Sequence, residues 1–120
     1  MAQPQITYHR MSSSLAMDAR ILELSTKLDE FHPKITSCHV VVEEIDKHKN
    51  KGNLFDVRID LHVPGREIVA THQQNEDCYA AITAAFDVMY RQLEQDIEKK
   101  RHQVKHHDRP VGGEPGELTP

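Results

Sequence analysis

The residues of this chain best suited to chemistry are cations, and they fall into two groups. Lys99, Lys100, Arg101 and Lys105 close a long stretch without Gly or Pro, and Lys47, Lys49 and Lys51 share a short polar segment. Such groups suit phosphate backbones, because each phosphate neutralised by Lys or Arg releases counterions and makes binding salt-dependent but indifferent to base identity. A plain solvated helix end competes with that reading: Asp96 lies four residues before Lys100, and cations near a helix C-terminus suit its dipole in any case. Arg91 is a third candidate, with Asp87 one turn earlier as its possible i,i+4 partner. On a loop tip Lys47, His48, Lys49 and Lys51 would reach phosphates easily, although a solvated turn has the same composition.

Other chemistry has little support. His102, His106 and His107 could suggest zinc, but a zinc site needs three or four convergent ligands and two imidazoles one turn apart do not supply them. No metal and no cofactor are expected. A phosphate-cradling glycine loop, an HExxH pair, a nucleophile elbow and a paired-cysteine motif are all absent from the sequence, so neither catalysis nor a small-molecule substrate is expected. Cys38 reads as a small buried hydrophobe, whereas Cys78 falls in the first turn of a helix, where a thiolate can be favoured. The acidic residues read as exposed positions of regular elements, and Arg58 and His62 beside Asp56 and Asp60 read as cross-strand ion pairing.

The elements that must position these groups follow from periodicity. Gln5 to Arg10 reads as a short strand with Ile6 and Tyr8 on one face, and Ser14 as the N-cap of a helix carrying Met17, Ile21, Leu24, Leu28 and Phe31 at helical spacing. Pro33 stops that helix. Cys38 to Glu44 is a β-branched run with Cys38, Val40 and Val42 inward, and Asp46 to Asn53 is a polar turn. In Leu54 to Val63, the residues Phe55, Val57, Ile59, Leu61 and Val63 alternate with Asp56, Arg58, Asp60 and His62, which is the pattern of a half-buried strand. Pro64-Gly65 is a tight turn and Arg66 to His72 a fourth strand.

Asn75 is then the expected N-cap of a helix whose stripe is Tyr79, Ile82, Phe86, Met89, Leu93 and Ile97. At roughly 43 Å it is longer than the ~30 Å of a nine-residue strand, so its basic end should overhang the body. The order β-α-β-β-β-α predicts an α+β fold: a two-layer α/β sandwich with a four-stranded sheet, two helices on one face and water on the other.

Composition agrees with one such domain. A hydrophobic share of 38% and a charged share of 28% over 120 residues are ordinary for a globular chain. The net charge of −4 argues against indiscriminate nucleic-acid binding, yet the two basic segments, with Arg109, hold about half of the 15 Lys and Arg residues. Residues 1–105 are expected to form the domain and residues 106–120 a Pro/Gly-rich tail. With no apolar leader and no membrane-length run, a cytoplasmic protein is expected.

Several segments in the right order resemble the family of ribosome hibernation-promoting factors and ribosome-associated inhibitors, also called sigma-54 modulation proteins. They are Glu76-Asp77-Cys78-Tyr79-Ala80-Ala81-Ile82, Phe86-Asp87, Arg91-Gln92-Leu93, Lys27-Leu28-Asp29-Glu30-Phe31, Val40-Val41-Val42 and Val57-Arg58-Ile59-Asp60-Leu61, within a match from about Ile6 to Lys105. The resemblance implies a fold like a double-stranded-RNA-binding domain and a non-catalytic regulator in the mRNA and tRNA channel of the small ribosomal subunit. Arg91 matches the family's motif arginine. Arg91, Lys99, Lys100, Arg101, Lys105, Lys47, Lys49 and Lys51 are accordingly the expected rRNA contacts. The chain resembles the short form of the family and is expected to be a monomer. It departs from the family pattern at Val88, where a basic residue is usual, and at Glu94, Asp96 and Glu98, where lysines are common. Those departures leave two other readings open, a protein-interaction module of the same fold and a general structured-RNA-binding domain.

Overall fold

The computed structural model describes residues 3–46 and 53–108. The elements run β1 (Gln5–His9), α1 (Leu15–Phe31), β2 (Ser37–Asp46), β3 (Asn53–Val63), β4 (Arg66–Asn75) and α2 (Cys78–Asp108). They form one four-stranded sheet in the order β1-β2-β3-β4, with β1 parallel to β2 and the other pairs antiparallel. Helix α1 is the crossover that a parallel pair requires. The expected β-α-β-β-β-α sandwich is therefore the fold.

Local chemistry sets the boundaries. The Ser14 hydroxyl accepts the Met17 amide at 3.2 Å and starts α1. Tyr8 on β1 donates its phenol to Asp18 Oδ1 at 2.7 Å and fastens the first turn of α1 to the sheet. Pro33 stops the helix after Phe31, and the His32 amide closes it on the Leu28 carbonyl at 2.8 Å. Between β3 and β4, Gly65 takes φ 89, a left-handed conformation for which an L side chain is poorly suited.

The start of α2 differs from the expectation. Its cap is Asp77, whose carboxylate accepts the Tyr79 amide at 2.9 Å, while Asn75 accepts the Asp77 amide at 2.8 Å in a turn before the helix. The helix thus begins at Cys78, and its apolar stripe starts there too. Cys78, Ala81, Ile82, Ala85, Phe86, Met89 and Leu93 are buried, whereas Tyr79 is 42% exposed and is not a core residue. Ile82, Met89 and Leu93 are wholly enclosed, each burial contributing about 1.5–3 kcal/mol.

Cys38, Val40 and Val42 of β2 and Val57, Ile59, Leu61 and Val63 of β3 form the sheet half of the core, as their alternation required. In β4 the alternation slips: Ile59 pairs with Ala70 but Val57 with Gln73, so β4 spends one extra residue. His72 lies at the bulge with φ 63. This extends β4 to Asn75 and turns His72 toward Asp56, with Nδ1 3.4 Å from Oδ1. On the water-facing side, Arg58 pairs with Asp60 of its own strand at 3.2 Å, and His62 faces Glu67 across β3–β4 at 3.9 Å.

Candidate functional site

Helix α2 has 31 residues, roughly 46 Å at about 1.5 Å per residue, and its first half packs on β3 and β4. The body ends near Asp96, because Arg66, the first residue of β4, reaches that side chain. Residues 97–108 run on past the sheet for about 18 Å. The overhang inferred from element lengths is real.

Asp96 organises this end of the molecule. Its side chain is 1% exposed, with Arg66 Nη1 2.7 Å from Oδ1, His32 Nε2 3.7 Å from Oδ2 and Lys100 Nζ 3.8 Å from Oδ2. His32, 6% exposed, comes from the end of α1, Arg66 from β4 and Lys100 from α2 itself. One carboxylate therefore gathers groups from both layers. Arg66 and Lys100 offset the cost of removing a carboxylate from water, and the contacts fix how α1, α2 and β4 meet.

The expectation that the acidic residues are all exposed was wrong at two positions. Asp96 is buried, and Asp56 is buried on the outer sheet face, where Gln74 Nε2 donates to it at 3.1 Å. A signal for Asp96 was available in its spacing. Ile82, Phe86, Met89 and Leu93 alternate steps of four and three, and the next step of three lands on Asp96, not on Ile97. A carboxylate in phase with an apolar stripe is a candidate buried charge. His32 and Arg66 carried no such sign, since nothing local ties them to residue 96.

Of the expected contact residues, Arg91, Lys99 and Arg101 are exposed and take no ion-pair partner among the described residues. In particular Arg91 does not pair with Asp87. Lys100 is half-exposed but leans toward Asp96, so its charge is partly spoken for. Arg91 lies on an outward ridge with Glu94, Gln95, Glu98 and Lys99, where the acidic residues weaken the field of the cations. Past the end of the sheet, the free positive charge among the described residues is that of Lys99 and Arg101. Lys105 is within α2, but its side chain, like those of His102, His106 and His107, lies outside the described residues, as do Lys47, Lys49 and Lys51.

The two thiols have no place in this chemistry. Burial pushes Cys38 up to about 12 and Cys78 up to about 11, with the negative charges of Asp60 and Asp77 respectively adding to the effect. The helix start does not favour a thiolate at Cys78, because the side chain is enclosed against Met17, with Sγ 3.3 Å from Sδ. Tyr8 is likewise raised above the usual phenol range by burial and by its hydrogen bond to Asp18. No helix among the described residues is long and apolar enough to cross a membrane.

The molecule is thus a β-α-β-β-β-α sandwich with a helical extension that carries the free cations Lys99 and Arg101. The chain belongs to the Sigma 54 modulation protein / S30EA ribosomal protein family, whose model matches residues 5–101. It is 33% identical over 105 residues to a ribosome hibernation promoting factor of Azotobacter vinelandii, covering 84% of this chain and 92% of that protein. It is also 32% identical over 101 residues to one of Klebsiella oxytoca, covering 83% and 99%. Similar solved structures are a ribosomal subunit interface protein from Coxiella burnetii (TM-score 0.63, 18% identity, 78% of this chain and 96% of that one) and the N-terminal domain of Thermus thermophilus Protein Y (0.64, 19%, 78% and 97%). At those identities the structures speak for the fold.

Proposed function

We propose that this chain is a non-catalytic, cytoplasmic translation regulator that associates with idle ribosomes, as the names of its relatives indicate for them. It would occupy the mRNA and tRNA channel of the small subunit as a monomer. The observation that carries the reading is the overhang of α2 in a member of this family, with Lys99 and Arg101 free beyond the sheet. Cations on a rigid rod can follow a phosphate backbone and recognise its shape without reading bases. Arg91, Lys100, Lys105 and the Lys47–Lys51 segment would widen the contact.

Co-sedimentation with purified small subunits across a salt series tests this. Association at low salt that fades as salt rises is the expected result, and no association at low salt would end the proposal. A protein-interaction module is the second reading, favoured by Glu94 and Glu98 on the outward ridge. On that reading, reversing Lys99 and Arg101 leaves partner binding unchanged.

A further inference from the structure

A groove between the end of α1 and the overhang of α2 has features that backbone-tracking cations do not require. Phe31, His32, Pro33 and Lys34 line one side and Ile97 and Lys100 the other of an open groove of about 240 Å³. The Phe31 ring is held in place by stacking on Tyr90, with centroids 4.2 Å apart and planes at 24°. Apolar surface from Phe31, Pro33 and Ile97 is therefore flanked by two exposed ammonium groups, Lys34 and Lys100. Lys34 has no ion-pair partner among the described residues. His32, 6% exposed, forms the floor between the two ammonium groups.

The dimensions narrow the choice. Pockets for drug-sized molecules run to roughly 300–1,000 Å³, so this one suits a single planar ring system and not a helix. Two cations beside an apolar wall match a base with its phosphate. An acidic peptide without an apolar side chain would satisfy the cations and leave Phe31 and Ile97 uncovered.

We propose that the groove receives one unpaired nucleotide of an RNA strand. Its base lies against Phe31, Pro33 and Ile97, and its phosphate between Lys34 and Lys100. The inference rests on the ribosomal reading for the source of the strand: Arg101 is four residues on from Ile97 and so on the groove side of α2, and a backbone that contacts it passes the rim of the groove. Unstacked bases lodged on aromatic side chains are a usual means of recognising single-stranded RNA.

The test uses the full chain with labelled isoleucine methyls, titrated by NMR with a uridine tetranucleotide, uridine monophosphate, ribose 5-phosphate and an acidic hexapeptide. Co-sedimentation with small subunits is measured in parallel. The expected result is a shift of the Ile97 methyl with the tetranucleotide and the mononucleotide, and none with ribose 5-phosphate or the peptide. Lys34→Glu, at an exposed position, should weaken the tetranucleotide roughly tenfold at low salt. An unmoved Ile97 in a chain that still sediments with small subunits overturns the groove and leaves the ribosomal reading intact. A shift at Ile97 without co-sedimentation removes that reading and keeps the groove. A shift of Ile97 by ribose 5-phosphate or by the peptide overturns the assignment to a base.

Discussion

Arg66 Nη1 lies 2.7 Å from Asp96 Oδ1, joining the first residue of β4 to a buried carboxylate on the last packed turn of α2. That contact marks the boundary between the part of α2 that belongs to the core and the part that belongs to the surface. It also decides which cations are free, because the same carboxylate draws Lys100. Four predictions follow from this boundary and from the burial around it.

Removing Arg66 strands most of the charge of Asp96. Breaking a fully buried pair costs roughly 3–5 kcal/mol, and because Arg66 is 46% exposed, Arg66→Ala should cost less, about 2 kcal/mol. In an Asp96→Asn background the same change should cost under about 0.5 kcal/mol. Urea denaturation of the four proteins closes the cycle, and equal costs in both backgrounds would show that the pair contributes nothing.

Asp96→Asn should also release Lys100 toward solvent. Under the ribosomal proposal, a Lys100 no longer shared with Asp96 neutralises its phosphate more fully, which raises affinity for small subunits and steepens the log–log salt slope by up to about 0.7–0.9. The measurement is the slope between low and moderate salt, and an unchanged slope would mean that Lys100 is no part of the contact.

Lys99→Glu with Arg101→Glu should leave stability within about 0.5 kcal/mol of the parent, since both side chains are exposed and unpaired among the described residues. Small-subunit binding should weaken strongly and lose much of its salt dependence. Thermal melts and co-sedimentation together separate a binding defect from a folding defect.

The thiols give a pH prediction. An unfolded thiol ionises near its ordinary value of 9.0, whereas folding holds Cys78 at about 11 and Cys38 at about 12. Between these values the unfolded chain has released protons that the folded chain keeps, so stability falls as pH rises. The contribution is whole below pH 9 and is lost progressively toward pH 11–12. Cys38→Ser with Cys78→Ser should flatten that decline in denaturation curves taken from pH 8 to 11, and disulfide-exchange reagents should label the parent thiols only as fast as the chain opens.

Much of this architecture is legible in the sequence. The strict alternation in β3, the serine cap and proline stop of α1, and the helical stripe of α2 are local patterns, because a side chain's direction repeats every two residues in a strand and every 3.6 in a helix. The overhang was legible for the same reason, since element lengths follow from residue counts.

The sequence by itself therefore determined the element order, the faces that meet in the core and the presence of a cationic helix end. Only the tertiary structure decided the identity of the free charges. Burial of Asp96 depends on where His32, Arg66 and Lys100 converge, and those residues lie up to 68 positions apart in the chain. The bulge that places His72 at φ 63, the exposure of Tyr79 and the cap at Asp77 were decided in the same way. Each depends on how one element's face is rotated against its neighbour, and periodicity leaves that rotation free by about a residue. Packing removes the freedom, because only one rotation buries Ile82, Met89 and Leu93 together.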